Sequence, residues 1–167
     1  LAHLREGLPS KTPVRFVKAK KIERIAVQAG DIIFEISGGT ETQSTGRTAI
    51  ATDKMLKLFE YPLVFSNFCR LFRPTDSRLG VFLYMYLSVL YRQDEFFALE
   101  NGSSGIKNLA YKTLLEEFQY PMPTDEDALA ISLFLQPYLE KFFENKLQIR
   151  TLEKLRNTLL PKLMSGE

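Results

Sequence analysis

At 167 residues, 45% hydrophobic and 25% charged, the chain is long enough for one domain with a sizeable core and too short for two once a terminal helix is set aside. One cysteine, Cys69, excludes an internal disulfide framework, and a single histidine, His3 at the N-terminal edge, leaves no Cys/His cluster for a metal. The densest apolar stretch, 79–91, is too short to span a membrane, and Arg5, Glu6 and Lys11 follow Leu1 too closely for a signal peptide, so a cytoplasmic protein with no membrane partner is expected.

A chain that starts at Leu1 in mid-pattern reads as a piece of something longer. Its net charge of +2 is unevenly spread. Residues 1–60 hold ten Lys/Arg against seven Asp/Glu, residues 61–112 six against four, and residues 113–167 six against nine. This separation suits a globular part that meets a polyanion and a tail that meets protein.

Residues 14–19 alternate as a half-buried strand would, and Lys18, Lys20, Lys21 and Arg24 form the densest basic run, suited either to solubility or to phosphate contacts. Gly30 and Asp31 turn the chain into Ile32-Ile33-Phe34-Glu35-Ile36, a strand rich in β-branched residues. Residues 37–47, SGGTETQSTGR, form a polar loop whose six Ser, Thr or Gln side chains can hydrogen-bond to phosphates or base edges. The loop lacks the lysine and spacing of a P-loop, and a plain connecting loop is its alternative reading. A strand at 48–51 follows, then short strands at 54–59 and 64–72 joined by a turn at Pro62. Apolar residues at Leu79, Phe82, Leu83, Tyr86, Leu87 and Leu90 predict an amphipathic helix over 78–92, capped by Asp76 or Ser77. Residues 101–108, NGSSGIKN, read as a tight polar turn carrying Ser103, Ser104 and Lys107.

Residues 124–163 organise the rest. Ile131, Leu135, Tyr138, Phe142, Ile149, Leu152, Leu159 and Leu163 recur at helical spacing, with Asn145 filling the gap in the series. A partner helix is the natural cover for so long a face, and Asn145 between Phe142 and Ile149 suits pairing held in one register. The alternative is a helix lying back on its own domain with Asn145 exposed. Thr124 and Asp127 make a weakened capping box, Pro137 predicts a kink or restart, and Pro161 should limit the last turn.

No catalytic constellation emerges. Asp53 with Glu60, or Asp94 with Glu95, come with no histidine, metal-ligand set or activated nucleophile. The catalytic and S-adenosylmethionine motifs of methyltransferases are absent too, so a binding role outranks an enzyme.

The run Leu155-Arg156-Asn157-Thr158-Leu159-Leu160-Pro161-Lys162-Leu163-Met164-Ser165-Gly166-Glu167 resembles the terminal signature of the DNA-specificity subunits of type I restriction-modification systems. Three earlier segments fit the same family in order: Gly30-Asp31-Ile32-Ile33-Phe34 leading to Gly46-Arg47; residues 65–72 followed by the helix from Arg78; and Gly102-Ser103-Ser104 followed by Tyr120-Pro121-Met122-Pro123. Together they cover about residues 25–167. Asp125-Glu126-Asp127 departs from the pattern, since many relatives carry a Pro and a Glu-Gln pair before the helix.

The resemblance implies an α+β (α/β) fold of mixed strands, with a target-recognition domain over 1–123 and a conserved coiled-coil-forming helix, a spacer and dimerisation region, over 124–167. Such subunits carry two recognition domains in tandem, with antiparallel helices that fix the gap between half-sites, so this chain corresponds to the C-terminal half. The expected function is recognition of one half of a bipartite double-stranded DNA target. Expected partners are that DNA, the modification (methyltransferase) subunits, and the N-terminal half of the full subunit or a second copy. No cofactor is expected on this chain, S-adenosylmethionine and ATP being the partners' business. Candidate DNA contacts are Lys18, Lys20, Lys21, Arg24, Thr42, Gln43, Arg47, Ser103, Ser104 and Lys107, with Arg47 and Gln43 as base readers because their geometry suits guanine and adenine. Arg47 has an alternative as the ion-pair partner of Glu35 or Glu41. A helical dimerisation module without DNA specificity is the competing function, and convergence of the cations on one face is what separates the two.

Overall fold

The computed structural model describes residues 12–102 and 105–166, so the expectations for His3, Ser103 and Ser104 lie outside the described residues. The fold is α+β: two small antiparallel sheets, a mid-chain helix and a long C-terminal helix. The strands are β1 (Ile32–Glu35), β2 (Ser37–Gly38), β3 (Thr48–Ile50), β4 (Cys69–Phe72), β5 (Glu100–Asn101) and β6 (Lys107–Leu109). The helices are α1 (Ala19–Ile25), α2 (Asp53–Leu56), α3 (Ser77–Arg92), α4 (Tyr111–Glu116) and α5 (Asp125–Ser165), with a 3-10 turn at Glu95–Leu99. Among the described residues no helix is long and apolar enough to cross a membrane.

Strand β1 is the centre of the first sheet, order β3-β1-β4, with Ile33 opposite Ala49 on one side and Leu71 on the other. Its side chains alternate between two cores. Ile32 and Phe34 pack with Leu87, Leu90, Phe96, Leu109 and Leu114, while Ile33 on the opposite face joins Val27, Ala51, Met55, Leu58, Leu63 and Phe143. Burial on both faces explains why the strand opens with three consecutive apolar residues, Ile32, Ile33 and Phe34. Ile36 hinges the two sheets: its N–H donates to the Phe68 carbonyl and its carbonyl accepts from the Leu109 N–H. The second sheet, order β2-β6-β5, then carries the expected polar loops at its ends.

Several expectations change. Residues 14–17 form no strand, and the basic run begins helix α1 instead, because Ala, Lys, Glu and Arg are strong helix formers and outweigh a short alternation. Residues 53–56 are helix α2 where a strand was expected: the Thr52 hydroxyl accepts from the Met55 N–H at 3.0 Å and caps it. Only residues 69–72 of the expected 64–72 strand pair in the sheet, with Val64 confined to an isolated bridge to Ala26. Helix α3 matches its expected span and is capped by Asp76, which accepts from the Arg78 N–H.

Helix α5 opens as expected, with the Thr124 hydroxyl accepting from the Asp127 N–H at 3.1 Å. It runs through Pro137 and Pro161 as one helix to Ser165, and Gly166 at φ +78° ends it. The expected restart is absent because Ser132 and Phe143, buried on either side of Pro137, hold both halves against the domain. The domain boundary expected at 124 coincides with the start of α5, yet the first part of that helix belongs to the core through Ala128, Ser132 and Phe143. Residues 151–165 are exposed throughout.

Candidate nucleic-acid interface

Residues 39–47 form a loop with its own scaffold. The Thr40 hydroxyl accepts from the N–H groups of Thr42 (3.3 Å) and Gln43 (3.0 Å), and the Thr40 N–H donates to the Gln43 carbonyl at 2.7 Å. Side chain and backbone thus close a compact turn that leaves Thr42 and Gln43 exposed at its tip. Behind the tip, Ser44, Thr45 and Gly46 are buried, and the Thr45 N–H donates to Glu100 Oε1 at 2.5 Å. Gly46 sits at φ +113° with a Cβ position 2.2 Å from the Phe96 ring, so this place admits no side chain without moving a core phenylalanine.

The loop ends at Arg47, whose guanidinium grips Glu35 in a fork, Nε to Oε2 at 2.9 Å and Nη2 to Oε1 at 2.5 Å. Glu35 is buried, and its hydrogen bonds hold the Arg47 pKa above the ordinary guanidinium value against the opposing effect of burial. The pairing with Glu35 weighed from sequence is therefore present, and it uses the Nε and Nη2 donors of Arg47. Lys107 is likewise engaged: its ammonium lies 3.0 Å from Glu100 and 5.0 Å from the centre of the Phe97 ring. Burial pushes the Glu100 carboxyl up, but the Thr45 N–H and Lys107 outweigh it and hold the group below its usual range. Gln43 and Arg47 also border a cleft of about 640 Å³ shared with Tyr84, Tyr138, Phe142 and Lys146.

The basic run lies elsewhere. Lys18 precedes α1 and Lys20, Lys21 and Arg24 ride on it, all four exposed. Lys21 borders a second cleft, of about 1040 Å³, with Lys57, Arg150 and Lys154. The two clefts share no lining residue, so the sequence-predicted cations do not gather at one place. Lys57, Arg150 and Lys154 were missed because they come from segments whose spacing carries no signal; only the fold brings them beside Lys21.

Of the expected helix-pairing residues, Ile131 and Leu135 are half-buried on the domain side of α5, while Tyr138, Phe142, Asn145, Ile149, Leu152 and Leu159 are exposed. Phe134 and Leu163 extend that exposed line in both directions, at 66% and 74% exposure. Charge is segregated along the same helix: residues 124–140 hold four acids and no base, and residues 141–165 hold six bases and two acids. This order complements the helix macrodipole at both ends. Among the described residues no group of three or more His, Cys, Asp or Glu could hold a metal ion. No protein-family model matches the chain, and no curated protein matches it.

Proposed function

We propose that this chain reads one half of a bipartite duplex DNA target as part of the specificity subunit of a type I restriction-modification complex, docking modification subunits that supply the S-adenosylmethionine and ATP chemistry. The observation that carries the reading is helix α5. Beyond Lys154 its residues 155–165 are exposed over about 16 Å of helix at about 1.5 Å per residue, and they continue an apolar line that begins on the packed part of the same helix. Antiparallel pairing with a like helix sets the acidic half of each against the basic half of the other. The exposed Thr42–Gln43 tip on its scaffolded loop supplies polar groups suited to base edges.

A second reading, a helix-pairing module without DNA specificity, draws support from the placing of Lys21 and Arg47 at different clefts and from the Glu35–Arg47 and Glu100–Lys107 pairs, which satisfy two of the candidate DNA-binding cations internally. Selection from a random duplex pool, at concentrations high enough for self-association, separates the two. Enrichment of a short half-site is the expected result. Self-association with no DNA binding even at low salt would leave the second reading standing.

A further inference from the structure

We infer that the cleft between α1, the 57–66 loop and the Arg150–Lys154 turn of α5 seats the phosphodiester backbone of duplex DNA, so that the terminal helix contributes DNA contacts of its own. This rests on the DNA reading above and extends it to residues outside the recognition loops. Five cations border the cleft, Arg15, Lys21, Lys57, Arg150 and Lys154, drawn from three separated stretches of chain, against one acid, Glu60. Among the described residues none of the five has an ion-pair partner, whereas Arg47, Lys54, Arg73, Arg78, Lys107 and Lys141 each have at least one. Other exposed cations, Lys112 and Lys162 among them, are unpaired too; what sets these five apart is that they border one cleft with a single acid, and a polyanion relieves the repulsion of such a group.

The cluster is fastened. Arg150 Nη1 donates to the Leu58 carbonyl at 2.5 Å, tying α5 to the loop that carries Lys57, and Lys154 follows one helical turn later on the same side. Arg15, Lys21, Lys57 and Lys154 are exposed, and a row of exposed cations spread over three elements matches successive phosphates better than one small anion, which needs a buried, fixed set of donors.

The test compares the full chain with Lys57→Ala/Lys154→Ala, and with Lys112→Ala/Lys162→Ala as an equal charge loss at exposed positions outside the cleft. The readout is affinity for a short duplex of arbitrary sequence as salt is raised. Losing two phosphate contacts flattens the slope of log affinity against log salt by about 1.8, so between 50 and 200 mM salt the wild type loses about 12-fold more affinity than the cleft variant. Lys57→Arg/Lys154→Arg restores the slope, and the control pair keeps it. Wild-type binding with an unchanged slope in the cleft variant overturns this inference alone, as does an equal flattening in the control pair. Absence of any salt-sensitive binding by the wild type overturns the DNA reading and this inference with it.

Discussion

Truncating Phe143 tests whether α5 is part of the domain or merely attached to it. Phe143 is 4% exposed and packs against Val27, Ile33, Met55, Leu58 and Leu63, joining the helix to the inner face of β1. Removing a buried phenylalanine costs about 3–5 kcal/mol through lost transfer energy and the cavity left behind. With a urea dependence of about 2 kcal/mol per molar, the unfolding midpoint of Phe143→Ala falls by about 1.5–2.5 M. The adjacent Phe142, its ring edge-on to Phe143 at 5.0 Å, is 41% exposed and points off the core. Its alanine variant therefore loses less than about 1 kcal/mol. Urea unfolding followed by circular dichroism at low protein concentration, where helix pairing does not contribute, gives both midpoints. Equal midpoints for the two variants, or a shift below about 0.5 M for Phe143→Ala, would refute the packing of α5 into the core.

Arg47→Ala strands the Glu35 carboxylate, whose side chain is 7% exposed, and lowers stability by about 2–4 kcal/mol, somewhat less than a fully buried pair because Arg47 is 23% exposed. Adding Glu35→Gln recovers at least half of that loss; if the single variant unfolds at the wild-type midpoint, the pair is not structural. Burial, and then the neighbouring Tyr86, pushes the Tyr120 phenol up to about 12, and its hydroxyl donates to the Leu114 carbonyl at 2.9 Å. A folded pKa above the unfolded value of about 10 gives stability that is complete below pH 10 and drains away as pH rises toward 12. Unfolding midpoints between pH 9 and 11.5 should fall more steeply for the wild type than for Tyr120→Phe, and parallel profiles would count against the buried phenol.

What was legible in the sequence is what local signals settle. Strand β1 followed from Ile32-Ile33-Phe34 and Ile36 after the Gly30-Asp31 turn, α3 from six apolar residues at helical spacing behind Asp76, and the start of α5 from Thr124 and Asp127. Residues 14–19 and 54–59 were read as strands because a few alternating residues look alike in either structure when the stretch is short; the helix-forming composition of α1 and the Thr52 cap of α2 decided the outcome. Pro137 misled because its cost to an isolated helix is met by packing at Ser132 and Phe143, which lies in the tertiary fold. At the candidate site the loop residues were proposed from their chemistry. That Arg47 faces Glu35, twelve positions away, was only one of two pairings the sequence allowed, and the company Lys21 keeps with Arg150, more than a hundred positions on, was invisible to spacing.

Because β1 gives one face to each hydrophobic cluster, neither cluster opens without baring the other, and the two unfold as one cooperative unit. The backbone amides of Ile33 and its neighbours, paired on both edges, should exchange with deuterium only through global unfolding. At the other extreme, the amides of residues 151–165 owe their protection to helical hydrogen bonds alone and should exchange by fraying from Gly166 inward. A single deuterium-labelling time course on the isolated chain would thus span nearly the whole range of protection, and any partner that settles on the terminal helix would register as a slowing confined to its last turns.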